Sequence, residues 1–374
     1  MEITRCEAIP LASAVEGVEM AFGSGDREVG VQPVLVRVHT DTDHIGLGET
    51  LTYDASGAEG EAVARMISVL GADLVGRDPR EPTAAWESLY VDVKRSNAWK
   101  ALSALDEALW DLTGKAAGEP LYRLLGGKTN NVAAYATFPR RQSTDALVDA
   151  GAWLAETFES MKITVGADVE RDRERIRAVA AGLPDGFGLS VDANTSYSVS
   201  EALRVGRAGE EVALEWFEEP VAHTDIEGQA ELNRRLDVPI AAYQSHAPHY
   251  PVVGHLRAGA LEVYQPSAYL CGGVTGTRRV AELVDGFEKR LVPHAFGPLV
   301  NYAATLHVAA ASPACDLIEF AVYDDSVEDP GEYVASPYVA GDPVRVENGV
   351  ITPPAAPGIG VELDEAAVER LRLD

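Results

Sequence analysis

The sequence predicts a barrel of parallel strands that alternate with helices, preceded by a smaller α+β domain. Short apolar runs recur through the middle of the chain, about one βα unit of roughly 25 to 30 residues apart, and each ends in polar side chains. The clearest is Ala213–Pro220, where Pro220 ends the strand because it has no N–H to donate. Glu218 or Glu219 therefore emerges at the carboxyl end of a strand, where a barrel keeps its functional side chains.

The other runs of this series have the same form and a regular spacing. They are Val132–Thr137, Glu159–Thr164, Gly188–Asp192, Pro239–Tyr243, Leu261–Gln265, Arg290–Pro293 and Cys315–Ile318. Such spacing is typical of parallel strands that close into one barrel, which we place at residues 127–320.

The chain before this barrel has strands first and helices later, which predicts an α+β domain over residues 1–126. Glu2–Pro10 and Val31–Thr40 are the first strands, and a third ends near Glu49. The glycine-containing stretch Phe22–Arg27 is either a hairpin connection or a mobile cap over a ligand. Residues 321–374, in which Ser336–Gly360 is rich in Pro and Gly, are expected to pack back on the first domain.

Composition excludes several classes of function. The formal net charge is -28, with 59 acidic against 31 basic residues, and Arg is scattered, so a nucleic-acid partner is not expected. The excess of acid indicates a solvated acidic surface, as in a protein from a high-salt cytosol. No run of 18 apolar residues and no signal-peptide pattern occurs, so we expect a cytoplasmic protein without a membrane partner. Cys6, Cys271 and Cys315 are expected to be reduced thiols in the core.

The polar residues at the strand ends form the candidate site. Residues two apart in a strand share a face, so the side chains of Lys162 and Thr164 lie on the same side of their strand. The same holds for Asp192 and Asn194. In a barrel this face is the interior, and six residues would converge there: Lys162, Asp192, Glu218, Gln244, His294 and Glu319. Each acid alone could be a helix N-cap or a surface charge, but the regular spacing of the set favours one site.

The chemistry of these side chains suggests a metal beside proton-transfer groups. Asp192, Glu218 and Gln244 present oxygen, which a hard cation such as Mg²⁺ prefers. His294 has the intrinsic pKa for proton abstraction near neutral pH. Lys162 is either a buried ion-pair partner, a group that stabilises developing negative charge, or both.

Four further residues are candidates for substrate binding. Arg140 and Arg141 follow the first barrel strand and are as plausible on the surface as on a carboxylate substrate. Ser267 lies at a strand end, and Tyr53 lies in a loop expected to decide specificity. His246 and His249 are interpreted as a surface loop, with a second proton carrier as the alternative.

Several motifs resemble the enolase superfamily, within it the mandelate racemase and muconate lactonizing enzyme group, across almost the whole chain. They are Gly46-Leu47-Gly48-Glu49, Ser103-Ala104-Leu105-Asp106 to Trp110-Asp111, Leu124-Leu125-Gly126-Gly127, Lys162, Val191-Asp192-Ala193-Asn194, Phe217-Glu218-Glu219-Pro220 and Cys271-Gly272-Gly273-Val274-Thr275. The resemblance implies a (β/α)7β modified TIM barrel with an α+β capping domain built from both termini. It also implies a symmetric homo-oligomer.

The resemblance further implies removal of the proton next to a substrate carboxylate, with the enediolate stabilised on Mg²⁺. Asp192 and Glu218 would hold the metal, His294 would act as base or acid, and Glu319 would hydrogen-bond the enediolate.

Three departures from the family pattern alter this expectation. Thr164 replaces a second basic Lys, Gln244 replaces a metal-binding Glu after a Gly, and Ser267 replaces the Asp that orients His294. Loss of one base disfavours racemisation, so dehydration of an acid sugar by His294 is the first hypothesis. A racemase or epimerase, a cycloisomerase that uses Lys162 directly, and a non-catalytic binding protein are the alternatives.

Overall fold

A computed structural model describes residues 1–12, 18–22, 25–29, 31–54, 57–127, 131–137, 143–322, 329–333 and 336–373. The predicted positions Arg140 and Arg141 lie outside these described residues.

The first domain is an antiparallel sheet covered by helices. Its strands are β1 (Ile3–Pro10), β2 (Val18–Phe22), β3 (Gly25–Val29), β4 (Gln32–Thr40) and β5 (Ile45–Thr52). The sheet order is β1-β4-β5, and β2 with β3 forms a separate hairpin in which Phe22 pairs with Gly25. This pairing agrees with the hairpin interpretation of the stretch, of which Gly23 and Ser24 lie outside the described residues, and the cap over a ligand stays a prediction. Strand β5 runs past its expected end near Glu49 because Thr50 and Thr52 still pair with β4.

Four helices follow: α1 (Ala58–Ala72), α2 (Pro82–Ser96), α3 (Trp99–Ala117) and α4 (Leu121–Leu124). Pro82 begins α2, where a missing N–H costs nothing, and Gly118 ends α3 with φ 70°. Helix α3 crosses β5 so closely that a Cβ on Gly48 would lie 1.9 Å from the Ala104 carbonyl oxygen.

The parallel strands of the second part confirm the predicted series. They are β6 (Val132–Thr137), β7 (Ser160–Thr164), β8 (Gly188–Asp192), β9 (Phe217–Glu218), β10 (Ile240–Ala242), β11 (Val263–Tyr264), β12 (Arg290–Leu291) and β13 (Leu317–Ala321). The ladder runs in order from β6 to β12, β13 pairs with β6, and a parallel bridge joins Leu291 to Cys315.

Helices follow each strand except β13, which is the (β/α)7β order. They are α5 (Thr144–Leu154), α6 (Val169–Gly182), α7 (Val199–Glu211), α8 (Ile226–Arg235), α9 (Pro251–Ala258), α10 (Ala268–Cys271), α11 (Gly273–Gly286) and α12 (Leu299–Ala311). Local capping supports them: Ser198 and Glu201 form a capping box on α7, and Asp168 accepts two backbone N–H groups of α6.

An apolar layer fills the barrel beneath the site. It consists of Tyr135, Trp216, Ala241, Val263 and Val292, all buried. Because side chains alternate along each strand, the next inward-facing residues lie above this layer, toward the carboxyl ends. The polar residues are thereby brought together at the mouth.

The C-terminal part contacts both other parts. It contains β14 (Val346–Glu347), β15 (Val350–Ile351) and α13 (Glu365–Leu371). Strand β15 pairs with β6 of the barrel, whereas the Leu373 N–H donates to the Pro10 carbonyl at 3.0 Å. The exact domain boundaries at residues 126 and 320 stay a prediction. No helix in the described part of the chain is long and apolar enough to cross a membrane.

Buried carboxylates of the first domain cap two barrel helices. Glu49 accepts the N–H groups of Val300 and Asn301, at 2.9 and 3.2 Å, in the first turn of α12. Asp106 accepts the Thr275 N–H at 2.8 Å in the first turn of α11. These bonds satisfy helix donors that otherwise have no partner, and they fix the first domain over the barrel.

Candidate active site

Lys162 stands at the centre of the barrel mouth. Its Nζ donates to both oxygens of Glu218 at 2.8 Å and lies 3.0 Å from Glu319 Oε1. Burial alone would lower the pKa of Lys162, but the charges of Glu218 and Glu319 hold it well above its ordinary value. Lys162 is therefore a fixed ammonium group in this arrangement, which disfavours the alternative in which it abstracts a proton.

The mouth holds more carboxyl groups than cationic groups among the described residues. Asp192, Glu218, Glu219 and Glu319 are all buried, and Lys162 is the one cation among the described side chains that pairs with any of them at neutral pH. Burial, followed by the charge of Glu218, raises the pKa of Asp192 well above its ordinary value. Such an excess of buried carboxylate marks a place where a bound cation would be stabilised.

Gln244 directs its amide oxygen toward the pocket among the buried carboxyl groups of the barrel mouth. Its Nε2 donates to Glu219 Oε2 at 2.9 Å, and a carboxylate only accepts hydrogen bonds, so Oε1 is left for the pocket. The preceding Tyr243 has φ 112°, a backbone conformation that favours glycine.

These donors fit a hard divalent ion such as Mg²⁺. No three His, Cys, Asp or Glu side chains among the described residues are grouped so as to hold a metal ion. A cation here would rely on the carboxylates of Asp192 and Glu218, the Gln244 oxygen and non-protein oxygens. Mg²⁺ commonly takes few protein ligands and keeps several waters, so this donor set suits it. Glu218 lies below the pocket wall, where its Oε2 accepts from Lys162, Trp216 and Gln265, whereas its Oε1 accepts from Lys162 and keeps a lone pair for an ion.

His294 is the titratable base that faces the pocket. Its Nδ1 lies 2.8 Å from Ser267 Oγ, and its Nε2 lies 3.8 Å from Glu319 Oε2. Burial lowers the pKa of His294 despite the nearby charge of Glu319, so the imidazole is neutral at pH 7. A neutral ring can accept a proton on Nε2.

Glu319 anchors this side of the site. Its Oε1 accepts from Thr137 Oγ1 at 2.6 Å, and its Oε2 accepts from the Ala295 N–H at 3.0 Å. Burial alone would raise the pKa of Glu319, but the charge of Lys162 and the hydrogen bond from Thr137 help to hold it at about 2. The ionised carboxylate accepts hydrogen bonds and orients Lys162 in this arrangement, and the role of Glu319 toward an enediolate stays a prediction.

The pocket has a volume of about 180 Å³ and brings together most of the predicted residues. Those that line it are Tyr53, Lys162, Thr164, Asp192, Asn194, Gln244, His294 and Glu319. Ser267 differs from its predicted role as a substrate contact, because it is fully buried behind His294. The surface interpretation of His246 and His249 is wrong, since both are buried and His246 stacks on Tyr243.

Some residues of the site carried a signal that sequence reasoning did not use. Thr137 and Gln265 end predicted strands in the same way as Asp192 and therefore could have been included. Tyr269 and Phe296 follow such strand ends by a few residues and line the pocket, and no periodic pattern marks them.

Comparison with known proteins decides the family. The family described as mandelate racemase / muconate lactonizing enzyme, N-terminal domain, matches residues 5–126. The family described as enolase C-terminal domain-like matches residues 145–367. The chain belongs to the enolase superfamily. Within this superfamily it falls in the mandelate racemase and muconate lactonizing enzyme group, as the motifs predicted.

Similar proteins cover more than nine tenths of the chain. A D-galactarolactone cycloisomerase of Agrobacterium fabrum is 31% identical, covering 91% of each chain. An arabinonate dehydratase of Saccharolobus solfataricus is 27% identical, covering 93% of this chain and 92% of the relative. A racemase from Streptomyces coelicolor A3(2), solved with bound magnesium, superposes with a TM-score of 0.88 at 29% identity, covering 99% and 100%. All three of these relatives are enzymes by name, which supports enzyme activity in this chain.

Proposed function

We propose that this enolase-superfamily chain is a Mg²⁺-dependent acid-sugar dehydratase. The observation that carries the proposal is that His294 is the one neutral imidazole among the described residues that line the pocket, together with Thr164 where the family resemblance places a second base. Strands β7 and β12 are at least three strands apart around the barrel, so Thr164 and His294 reach the pocket from different sides. A site with one base favours elimination over racemisation.

The residues of this chain divide the work in a definite way. Bound Mg²⁺, held by Asp192, Glu218 and the Gln244 oxygen, would supply positive charge to the substrate carboxylate and make the α-proton more acidic. Lys162 adds a fixed positive charge from the barrel side.

His294 moves the protons. Its Nε2 takes the α-proton, and the electron pair of the C–H bond passes toward the carboxylate. The imidazolium then returns a proton from Nε2 to the β-hydroxyl, whose C–O bond breaks, so that one water leaves and a 2-keto-3-deoxy acid forms after ketonisation. One group serves both steps only if the proton and the hydroxyl leave from the same face.

A cycloisomerase is the second candidate. The similarity to a D-galactarolactone cycloisomerase favours it. The same His294 would take the α-proton, and a ring oxygen in place of a hydroxyl would leave. In that case no water is released.

The test is incubation of the Mg²⁺-loaded protein with a panel of aldonic acids, aldaric acids and their lactones in D₂O, followed by proton NMR. Loss of a hydroxyl with appearance of a 3-deoxy-2-keto product supports the dehydratase, whereas ring opening without water loss supports the cycloisomerase. His294→Asn should abolish either reaction, and His44→Asn, at an exposed position, serves as the matched control. Exchange and turnover that survive in His294→Asn would contradict the assignment of the base.

We also propose a cytoplasmic, homo-oligomeric enzyme adapted to high salt. Support comes from the net charge of -28 and from the symmetric assembly implied by the family resemblance. Sedimentation at low and high salt tests the assembly, and a monomer at all concentrations contradicts it.

A further inference from the structure

A chain of hydroxyl groups connects the first domain to the base of the site. Ser267 Oγ lies 2.8 Å from His294 Nδ1, and the hydroxyl of Tyr269 hydrogen-bonds the side chains of both Ser267 and Tyr53. Tyr53 directly follows β5 of the first domain and lines the pocket. The chain therefore runs from Tyr53 at the pocket wall to the side of His294 that faces away from it.

Each hydroxyl in this chain carries one hydrogen, so its bonds have a direction. If Tyr269 donates to Tyr53, it accepts from Ser267, and Ser267 accepts from the Nδ1–H of His294. If Tyr53 donates to Tyr269, every bond reverses, and Ser267 donates to an unprotonated Nδ1. Only the first direction leaves a lone pair on Nε2, the atom that faces the pocket.

We propose that Tyr53, acting through Tyr269 and Ser267, holds His294 in the Nδ1–H tautomer that makes Nε2 a base. A substrate oxygen that accepts from the Tyr53 hydroxyl would favour the same direction, so ligand binding at the capping side would prepare the base. The role of His294 as the base rests on the proposed function, whereas the control of its tautomer does not.

This chain of hydroxyl groups differs from a carboxylate bonded to Nδ1 of His294 because it carries no charge. Burial raises the pKa of Tyr269 to about 12, so its phenol stays neutral and the chain orients the ring without adding negative charge beside it. A neutral partner leaves the protonated imidazole a stronger acid than a carboxylate partner would. This is useful where the same ring must return its proton to a poor leaving group. Tyr53, Tyr269 and Ser267 are thus positioning residues.

The tautomer is measured directly on the full-length Mg²⁺-loaded protein with ¹⁵N-labelled histidine by long-range ¹H–¹⁵N NMR at neutral pH. The chain has 8 His residues, and the spectrum of His294→Asn identifies the signals of interest. In the unaltered protein, Nε2 of His294 is expected to be unprotonated. In Tyr53→Phe and Tyr269→Phe, the hydroxyl that loses its acceptor keeps a hydrogen bond only by donating toward His294, so that Ser267 donates to Nδ1. The tautomer ratio should then shift toward Nε2–H by about tenfold or more.

Two further variants make the test specific. Tyr264→Phe removes a buried tyrosine hydroxyl that has no hydrogen-bond partner among the described residues, so it should leave the His294 signals unchanged. Ser267→Asp places an acceptor-only group at Nδ1, so adding it to Tyr53→Phe should restore the Nδ1–H tautomer.

Two results would overturn the proposal: an Nε2–H tautomer in the unaltered protein, or a Tyr53→Phe spectrum identical to that of the unaltered protein. Neither result depends on turnover. If dehydratase activity is absent but the expected tautomer shifts occur, the proposed function is rejected, and control of the His294 tautomer by the hydroxyl chain is retained.

Discussion

Glu49 gives the most direct test of how the two parts of the protein are held together. Its carboxylate caps α12 through the Val300 and Asn301 N–H groups, and it accepts the Tyr338 hydroxyl at 2.6 Å. Burial raises the pKa of Glu49 to about 7, although these hydrogen bonds oppose the shift. The perturbation is Glu49→Gln, which keeps the shape of the side chain and one acceptor oxygen but cannot ionise.

The expected magnitude follows from the pKa. A rise from the ordinary 4.5 to about 7 corresponds to about 3 kcal/mol at 1.36 kcal/mol per pH unit. The folded state binds this proton more tightly than the unfolded state, so stability is greatest at low pH. The free energy of unfolding contributed by Glu49 therefore decreases as the pH rises from about 4.5 to about 7, and it is constant above that.

Glu49→Gln removes this pH dependence. The Gln oxygen still accepts from the α12 donors, and the Tyr338 hydroxyl can turn to accept from the amide. The stability of the variant relative to the unaltered protein should therefore rise by about 3 kcal/mol between pH 4.5 and pH 8.

Urea unfolding at several pH values measures this difference, with Glu61→Gln on the exposed face of α1 as the matched control. If the free energies of unfolding of Glu49→Gln and of the unaltered protein differ by the same amount at every pH from 4.5 to 8, the reasoning is refuted.

Three more predictions follow from other parts of the structure. His307 accepts the Tyr122 N–H on Nδ1 and bonds the Ile359 carbonyl through Nε2, and burial lowers its pKa to about 4, so its contribution to stability is lost as the pH falls from about 6.5 to about 4. Urea unfolding of His307→Gln should show a shallower loss over this range, and an unchanged slope contradicts it. Gly48→Ala places a Cβ against the α3 backbone and should cost about 3 kcal/mol or more in thermal unfolding, whereas Gly254→Ala meets only ordinary contact and should be neutral or stabilising. Because the Debye length shortens from about 10 Å at 0.1 M salt to about 3 Å at 1 M, the melting temperature should rise with KCl, and a fall would argue against self-repulsion of the -28 charge.

The positions of the strands and of the polar residues at their ends could be predicted from sequence. Strands β6 and β8 begin and end at the predicted residues, because an apolar run bounded by polar or turn residues is a local signal. The identity of the site followed from the same signal, since Lys162, Asp192 and His294 each stand at such an end and meet in one pocket. Short strands were predicted too long: the run Leu261–Gln265 was expected for β11, but only Val263 and Tyr264 form ladder pairs.

The partners of these residues depended on tertiary structure. Periodicity assigns a side chain to the inside of the barrel, but it does not say which residue of another strand lies opposite. The sequence therefore predicted Glu218 only as a metal ligand, and the structure adds that it lies beneath the pocket wall and accepts hydrogen bonds from Lys162, Trp216 and Gln265.

The sequence by itself determined the class of fold, the family and the residues at the barrel mouth, because alternation along strands and local motifs encode them. Only the tertiary structure decided that Ser267 bonds His294, that Tyr53 reaches this pair through Tyr269, and that Glu49 caps a barrel helix. The physical reason is that protonation and hydrogen-bond direction depend on burial and on neighbours distant in sequence, which no local pattern records.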